Sequence, residues 1–243
     1  MRSLELPRGR LRVSRCIRHE PSSDDGIIND EGGMMARWGM VIDLDRCVAC
    51  QACTAACRAE NNVPFAGPEG ADLSRAIYWH DVLSDVEGEY PNLRGTFIPR
   101  PCMHCDNPPC VRVCPVGATY QNEEGLVLQH YERCIGCRYC MVACPYAARY
   151  FNWGAPEWPE SMGRYRNPDI PIRPKGIVEK CTFCSHRLPV PACNQACPAN
   201  ARAFGDLDDP DSVVSELARS PRAFRLLEDL GTEPKVYYLR EGA

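Results

Sequence analysis

Between Cys134 and Pro145 the chain reads C-I-G-C-R-Y-C-M-V-A-C-P, four cysteines at x2, x2, x3 spacing with a proline after the last. Three further quartets accompany it: Cys47, Cys50, Cys53, Cys57; Cys102, Cys105, Cys110, Cys114; and Cys181, Cys184, Cys193, Cys197. Only Cys16, of 17 cysteines, stands outside these sets, with no partner nearby, and is read as a bystander. Cysteines grouped this way are bridged to one another or to metal, and the fold must form around them. Disulfides fit poorly. The count is odd, no secretory apolar stretch precedes the quartets, and tight C-x-x-C pairs suit ligation.

The spacing C-x2-C-x2-C-x3-C-P is a bacterial ferredoxin ligand run for a [4Fe–4S] cluster, whose irons need four soft thiolates at tetrahedral corners. Three close cysteines wrap one cube and the fourth reaches the other cube of a pair. The first quartet shares this spacing, with Arg58 in place of the proline. The second and fourth lengthen one internal loop but keep the C-x3-C-P ending, at Pro115 and Pro198. Zinc is the competing metal, and its sites use two separated C-x-x-C pairs or Cys/His mixtures. Four complete quartets predict four [4Fe–4S] clusters and no three-iron cluster.

Crossed ligation suggests the pairing. Only 19 residues separate quartets two and three, a link short enough for one two-cluster unit, which leaves one and four to pair. The expected ligand sets are then Cys47, Cys50, Cys53 with Cys197; Cys181, Cys184, Cys193 with Cys57; Cys102, Cys105, Cys110 with Cys144; and Cys134, Cys137, Cys140 with Cys114. Spacing alone does not exclude pairing one with two and three with four.

The predicted fold class is α+β: two pseudo-symmetric bacterial ferredoxin-like units, each with two [4Fe–4S] clusters, carrying β-ribbon and loop insertions. Residues 1–33 are polar and aperiodic and read as a disordered tail, with a natural start expected near Met34–Met35. Residues 34–57 and 176–210 form one unit, 100–150 the other. Short strands lead into quartets one, three and four (39–45, 125–129, 176–178), and a helix follows the first over 54–61. Residues 58–99 predict a β-ribbon, from the segments 76–79 and 96–98 around turn signals. Residues 151–175, rich in aromatics, proline and arginine, predict either a loop packed over the clusters or a docking surface. Residues 211–243 predict a helix from Asp211 to Leu230, ended by Gly231, and a final strand over Val236–Leu239.

Arg46, Arg133 and Lys180 each directly precede the first cysteine of a quartet, and Arg100 comes two residues before Cys102. A cation beside an anionic cluster favours its reduced state, so these are candidates for tuning it; the alternative is that they reach solvent. His104, between two ligands, is either a surface side chain or a donor to sulfur. His186 is a candidate for facing a partner. No Ser/His/Asp constellation and no phosphate loop is present, so no catalytic residue is assigned. The formal charge of −4 gives no basic footprint for nucleic acid. No run reaches the roughly 18 apolar residues of a membrane helix, so work at a membrane would need another subunit.

The order of quartets, with G-M-V-I-D-L-D-R-C (39–47), E-N-N-V-P (60–64), N-P-P-C-V-R-V-C-P-V-G-A-T (107–119), C-P-Y-A-A-R-Y (144–150), E-K-C-T-F-C-S-H-R (179–187) and F-G-D-L-D-D-P (204–210), resembles the iron–sulfur subunit of the polysulfide/dimethyl sulfoxide reductase group of complexes. The resemblance covers roughly residues 35–240. It implies an electron-transfer subunit with four [4Fe–4S] clusters and the pairing of quartets one with four and two with three. It also implies a molybdopterin catalytic subunit and a quinone-binding, polysulfide-reductase-type integral membrane anchor as partners. The chain would then sit peripherally on the bacterial inner membrane, on the cytoplasmic or the periplasmic face. Some relatives serve complexes without molybdenum. A free multi-cluster ferredoxin and a zinc-stabilised scaffold are the competing readings.

Overall fold

The computed structural model describes residues 35–241. The predicted tail and Cys16 lie outside the described residues. The first strand, β1 (Trp38–Asp43), is apolar on both faces and buried through Met40, Val41 and Ile42. It runs into quartet one and the helix α1 (Ala52–Glu60). A short helix, α2 (Pro68–Asp72), precedes an antiparallel ribbon of β2 (Asp81–Glu87) and β3 (Arg94–Arg100), registered Asp81 to Arg100. Next come α3 (Pro109–Arg112), the hairpin β4 (Thr119–Gln121) and β5 (Val127–Gln129), then α4 (Tyr139–Ala143). Strand β6 (Tyr150–Phe151) pairs with β7 (Val178–Glu179). The chain continues through α5 (Ala192–Gln195), β8 (Arg202–Asp206), α6 (Val213–Ala218), β9 (Ala223–Phe224) and β10 (Val236–Leu239).

One four-stranded sheet, ordered β8-β1-β10-β9, gathers the strand before quartet one, the strand after quartet four and the C-terminal strand. β1 runs parallel to β10, pairing Met40 with Val236, and antiparallel to β8, pairing Met40 with Phe204. Because successive strand side chains alternate faces, β1 serves two cores. Met40 and Ile42 join the large core that contains the cysteines, whereas Val41 packs with Leu207, Val214 and Leu239 under α6. Helix α1 packs on α5, and α3 on α4.

Two expectations need correction. The predicted helix over Asp211–Leu230 is broken: α6 stops at Ala218, and β9 follows. Pro221 cannot continue a helix, and the backbone beyond it is satisfied by pairing with β10, Phe224 opposite Tyr238. The predicted ribbon over 58–99 begins only at Asp81. Residues before it finish α1 and form α2, and Ile77 and Trp79, read as part of an alternating strand, are buried in the core. The aromatic stretch after residue 150 contains a 3-10 turn at Glu160–Tyr165 and a single bridge between Phe65 and Glu157. Arg173 anchors its far end. This buried guanidinium pairs with buried Glu179 and donates to the carbonyls of Asn61 (2.6 Å) and Asn62 (2.8 Å) at the end of α1.

Candidate metal centres

Each quartet is shaped by the same backbone step. The residue immediately before the second cysteine is left-handed in all four: Ala49 (φ 53°), His104 (φ 42°), Gly136 (φ 69°) and Phe183 (φ 54°). Alternating right- and left-handed residues turn successive N–H groups toward one side, which makes an anion-binding concavity. In quartets one and three a second left-handed residue, Gln51 or Arg138, immediately precedes the helix carrying the third cysteine. Cys53 and Cys57 are four apart on α1 and so share its inner face, against α5 and Cys193.

The turn after the last cysteine repeats as well. The third residue beyond it is left-handed at Gly117, Ala147 and Asn200. Backbone N–H groups then point at sulfur: Thr119 N lies 3.4 Å from Cys114 Sγ, and Ala201 N lies 3.4 Å from Cys197 Sγ. At Cys114 burial pushes the thiol up, but the N–H groups of Thr119, Val116 and Ala118 more than offset it and hold the thiol below its ordinary range. Asn61 Nδ2 reaches Cys57 Sγ at 3.7 Å and Cys184 Sγ at 3.6 Å.

The thiols crowd one another in sets. Burial pushes Cys57 far up, with Cys181, Cys193 and Cys184 adding repulsion. Burial and Cys102 push Cys105 up to about 12, with Cys110 and Cys144 contributing and Thr232 opposing. Cys193 is pushed up to about 11 by burial, which Arg202 opposes, and Cys184 and Cys53 repel it further. Cys181 is raised by burial, by Cys193 and by Cys102 from a different quartet. Four soft donors that cannot ionise together without positive charge among them fit an iron–sulfur group, which replaces their protons with metal. Among the described residues, no three Cys, His, Asp or Glu side chains converge as a single metal ion requires.

Exposure differs between sets. Cys50 and Cys137 reach the surface, while Cys53, Cys57, Cys102, Cys105, Cys110, Cys140, Cys181, Cys184 and Cys193 are buried. Around the exposed cysteines stand apolar side chains: Val48 (68% exposed) beside Cys50, and Ile135 (65%), Tyr139 (63%) and Val142 (88%) near Cys137.

The candidate tuning residues separate. Arg46 and Arg133 lie at the surface, as does His186, which pairs with Glu60 at 2.8 Å. Lys180 is fully buried, donating to the carbonyls of Val127 and, at 2.7 Å, Cys181. Arg100 bonds Tyr146 O and Tyr150 Oη. His104 is neither of the two things expected of it. It is fully buried; Nε2 donates to Cys181 O and Nδ1 accepts from Val127 N–H, both at 3.1 Å. The left-handed turn that aims the loop's amides also swings this side chain inward. Burial, with Lys180 and Lys235, depresses its pKa far below the ordinary imidazole range. Sequence reasoning missed Asn61, Arg149 and Arg202. The last two carried a signal, because C-P-x-x-A-R occurs twice, at 144–149 and 197–202.

Two family profiles, each described as a 4Fe-4S dicluster domain, match residues 93–163 and 133–204. The chain is 49% identical over 226 residues to the menaquinone reductase iron–sulfur cluster-binding subunit of Nitratidesulfovibrio vulgaris, covering 84% of this chain and 88% of that one. It is 45% identical to a protein of Halobacterium salinarum described as a dimethyl sulfoxide reductase iron–sulfur subunit (84% and 79% covered). It is 40% identical to the arsenate respiratory reductase iron–sulfur subunit of a Shewanella species (84% and 96%).

Proposed function

The chain belongs to the family of iron–sulfur subunits of the polysulfide/dimethyl sulfoxide reductase group, and on that premise we propose that it relays electrons through four [4Fe–4S] clusters between a quinone-linked anchor subunit and a molybdopterin catalytic subunit. No described helix is long and apolar enough to cross a membrane. In this reading a polysulfide-reductase-type anchor holds the chain to the bacterial inner membrane.

The ligand sets of the reading are Cys47, Cys50, Cys53, Cys197; Cys57, Cys181, Cys184, Cys193; Cys102, Cys105, Cys110, Cys144; and Cys114, Cys134, Cys137, Cys140. The observation that carries it is the pattern of thiol neighbours. Cys57 stands among Cys181, Cys184 and Cys193, and Cys105 among Cys102, Cys110 and Cys144. Cys181 beside Cys102, Cys193 beside Cys53 and Cys140 beside Cys110 support a run of the four in the order just given. Residues 34–57 with 176–210, and residues 100–150, would then be two pseudo-symmetric ferredoxin-like units. The packing of α1 on α5 and of α3 on α4 supports this, as does the repeated left-handed step.

When bound, each cube takes up and releases one electron at a time. The chain's own residues fix spacing and environment. Buried cysteines keep water from the two inner sets. Amides of Thr119 and Ala201, and the side chain of Asn61, donate toward sulfur and favour added negative charge. The outer sets, at Cys50 and Cys137, meet the surface beside apolar side chains suited to partner contact.

The test is Cys137→Ser in the assembled complex, purified through this chain. One cluster should be lost or altered by electron paramagnetic resonance and quinone-linked turnover should fall, with the partners still copurifying. Unchanged spectra and turnover would contradict the relay. Molybdenum or tungsten in the same preparation supports the molybdopterin partner. Iron alone with a membrane subunit replaces that partner with a molybdenum-free one.

A further inference from the structure

We propose that Arg149 and Arg202 are equivalent internal cations, each lying between the two cysteine sets of one cluster pair and raising the reduction potentials of both clusters in that pair.

Both arginines are the fifth residue after the last cysteine of a quartet, in the repeated C-P-x-x-A-R. Both follow the same turn, with its left-handed residue at Ala147 (φ 48°) and Asn200 (φ 46°). The repeat therefore delivers the two guanidinium groups to corresponding places. Arg149 neighbours Cys110 and Cys102 of one proposed set and Cys140 of the next. Arg202 neighbours Cys193 of one set and Cys53 and Cys197 of another, with Nη1 3.9 Å from Cys193 Sγ. Each thus faces two clusters, not one.

Their polar partners are neutral. Arg149 Nη1 donates to Thr119 Oγ1 (3.1 Å) and Gln129 Oε1 (3.2 Å), while its Nε and Nη2 are buried with no hydrogen-bond partner. Arg202 reaches Met40 Sδ (3.3 Å) and the ring of His80, which burial, Arg202 and Arg100 keep neutral. Two other buried cations face carboxylates, Arg173 with Glu179 and Lys235 with Asp106, while Lys180 is held by the carbonyls of Val127 and Cys181. A guanidinium cannot shed its proton, so one buried without a carboxylate needs another anion. The anion supplied here is the thiolate-ligated cluster. Adding an electron makes a cluster more negative, so an adjacent fixed cation favours the reduced form and its removal disfavours it.

The inference rests on the cluster pairs proposed above. That reading is checked first on the unaltered complex, where an iron content well below about sixteen per chain removes it. The inference itself is tested by redox titration of the assembled complex, followed by electron paramagnetic resonance, in Arg149→Met, Arg149→Lys and the same two changes at Arg202. Each Met variant should lower the potentials of two clusters and leave the other two in place. The expected shift is about tenfold or more in each reduction equilibrium constant, about 59 mV for a one-electron couple. Each Lys variant should retain most of the unaltered potentials. Should Arg149→Met not assemble, Arg149→Gln keeps a donor near Thr119 and drops the charge, and carries the same expectation. Unchanged potentials in a cluster-loaded neutral variant overturn the inference. So does a shift in one cluster only, or Lys and neutral variants that behave alike.

Discussion

His104 and Phe183 lie face to face, ring centroids 3.9 Å apart and planes 17° from parallel. Each is the left-handed residue just before the second cysteine of its quartet, so equivalent positions of quartets two and four meet, close to where Cys102 neighbours Cys181. The contact is held by His104, which bonds Cys181 O on one side and Val127 N–H on the other. Phe183 also meets Phe204 edge-on, which ties the junction to β8.

Replacing His104 with alanine removes the stack and leaves the buried Val127 N–H unpaired, while Cys181 O keeps Lys180 as a donor. A buried donor left unpaired costs about 1–3 kcal/mol. The denaturant midpoint for loss of the cluster absorbance should fall markedly. An unchanged midpoint would mean that the imidazole is not part of the junction.

Acid sensitivity follows from buried imidazole. Burial, Arg202 and Arg100 depress the pKa of His80 far below its ordinary value, so the folded state keeps it neutral. Unfolded chain binds that proton below about pH 6.5, and stability therefore falls as pH drops through and below that value. Above about pH 7.5 the contribution is flat. Comparing thermal midpoints at about pH 7.5 and about pH 5.5, His80→Gln should show a smaller loss than the unaltered protein, since the clusters are common to both. Equal losses would count against the assignment.

Arg173 and Glu179 form a buried pair that also pins the segment after residue 150 to the end of α1. Removing one partner of such a pair costs about 3–5 kcal/mol. Arg173→Ala should lower stability by that order and open residues 151–175 to limited proteolysis. A protease-resistant segment in the variant would show that other contacts hold it.

Gly136 adopts φ 69°, and a Cβ there would run into the carbonyl oxygen of Gly176 and lie 3.1 Å from the Phe151 ring. Left-handed backbone in a residue with a side chain costs about 1–3 kcal/mol before any such contact. Gly136→Ala should therefore destabilise the protein and lower iron occupancy selectively at the set containing Cys137. Full occupancy with unaltered stability would contradict the close approach.

Much of this was legible in the chain itself. Cysteine spacing marked the quartets, and apolar runs marked β1 and β10, because both depend on local order. Pro221 marks the break in the C-terminal helix, and reading 211–230 as one helix from its cap residues passed over it. Tertiary position was not legible. Arg46, Arg133 and Lys180 occupy the same place before a quartet, yet only Lys180 is buried, because β5 supplies the Val127 carbonyl above it. His104 reads as a polar residue in a loop, and nothing local says that a left-handed backbone turns it inward. The repeat C-P-x-x-A-R was visible, but its meaning depends on which thiols fold around it.

The central claim, that this chain carries four cubes along one relay, is met most directly by iron and acid-labile sulfide analysis of the complex purified anaerobically through this chain. The account predicts about sixteen irons and sixteen sulfides per copy, four of each per cube. A value near eight, or zinc in place of iron, would contradict it.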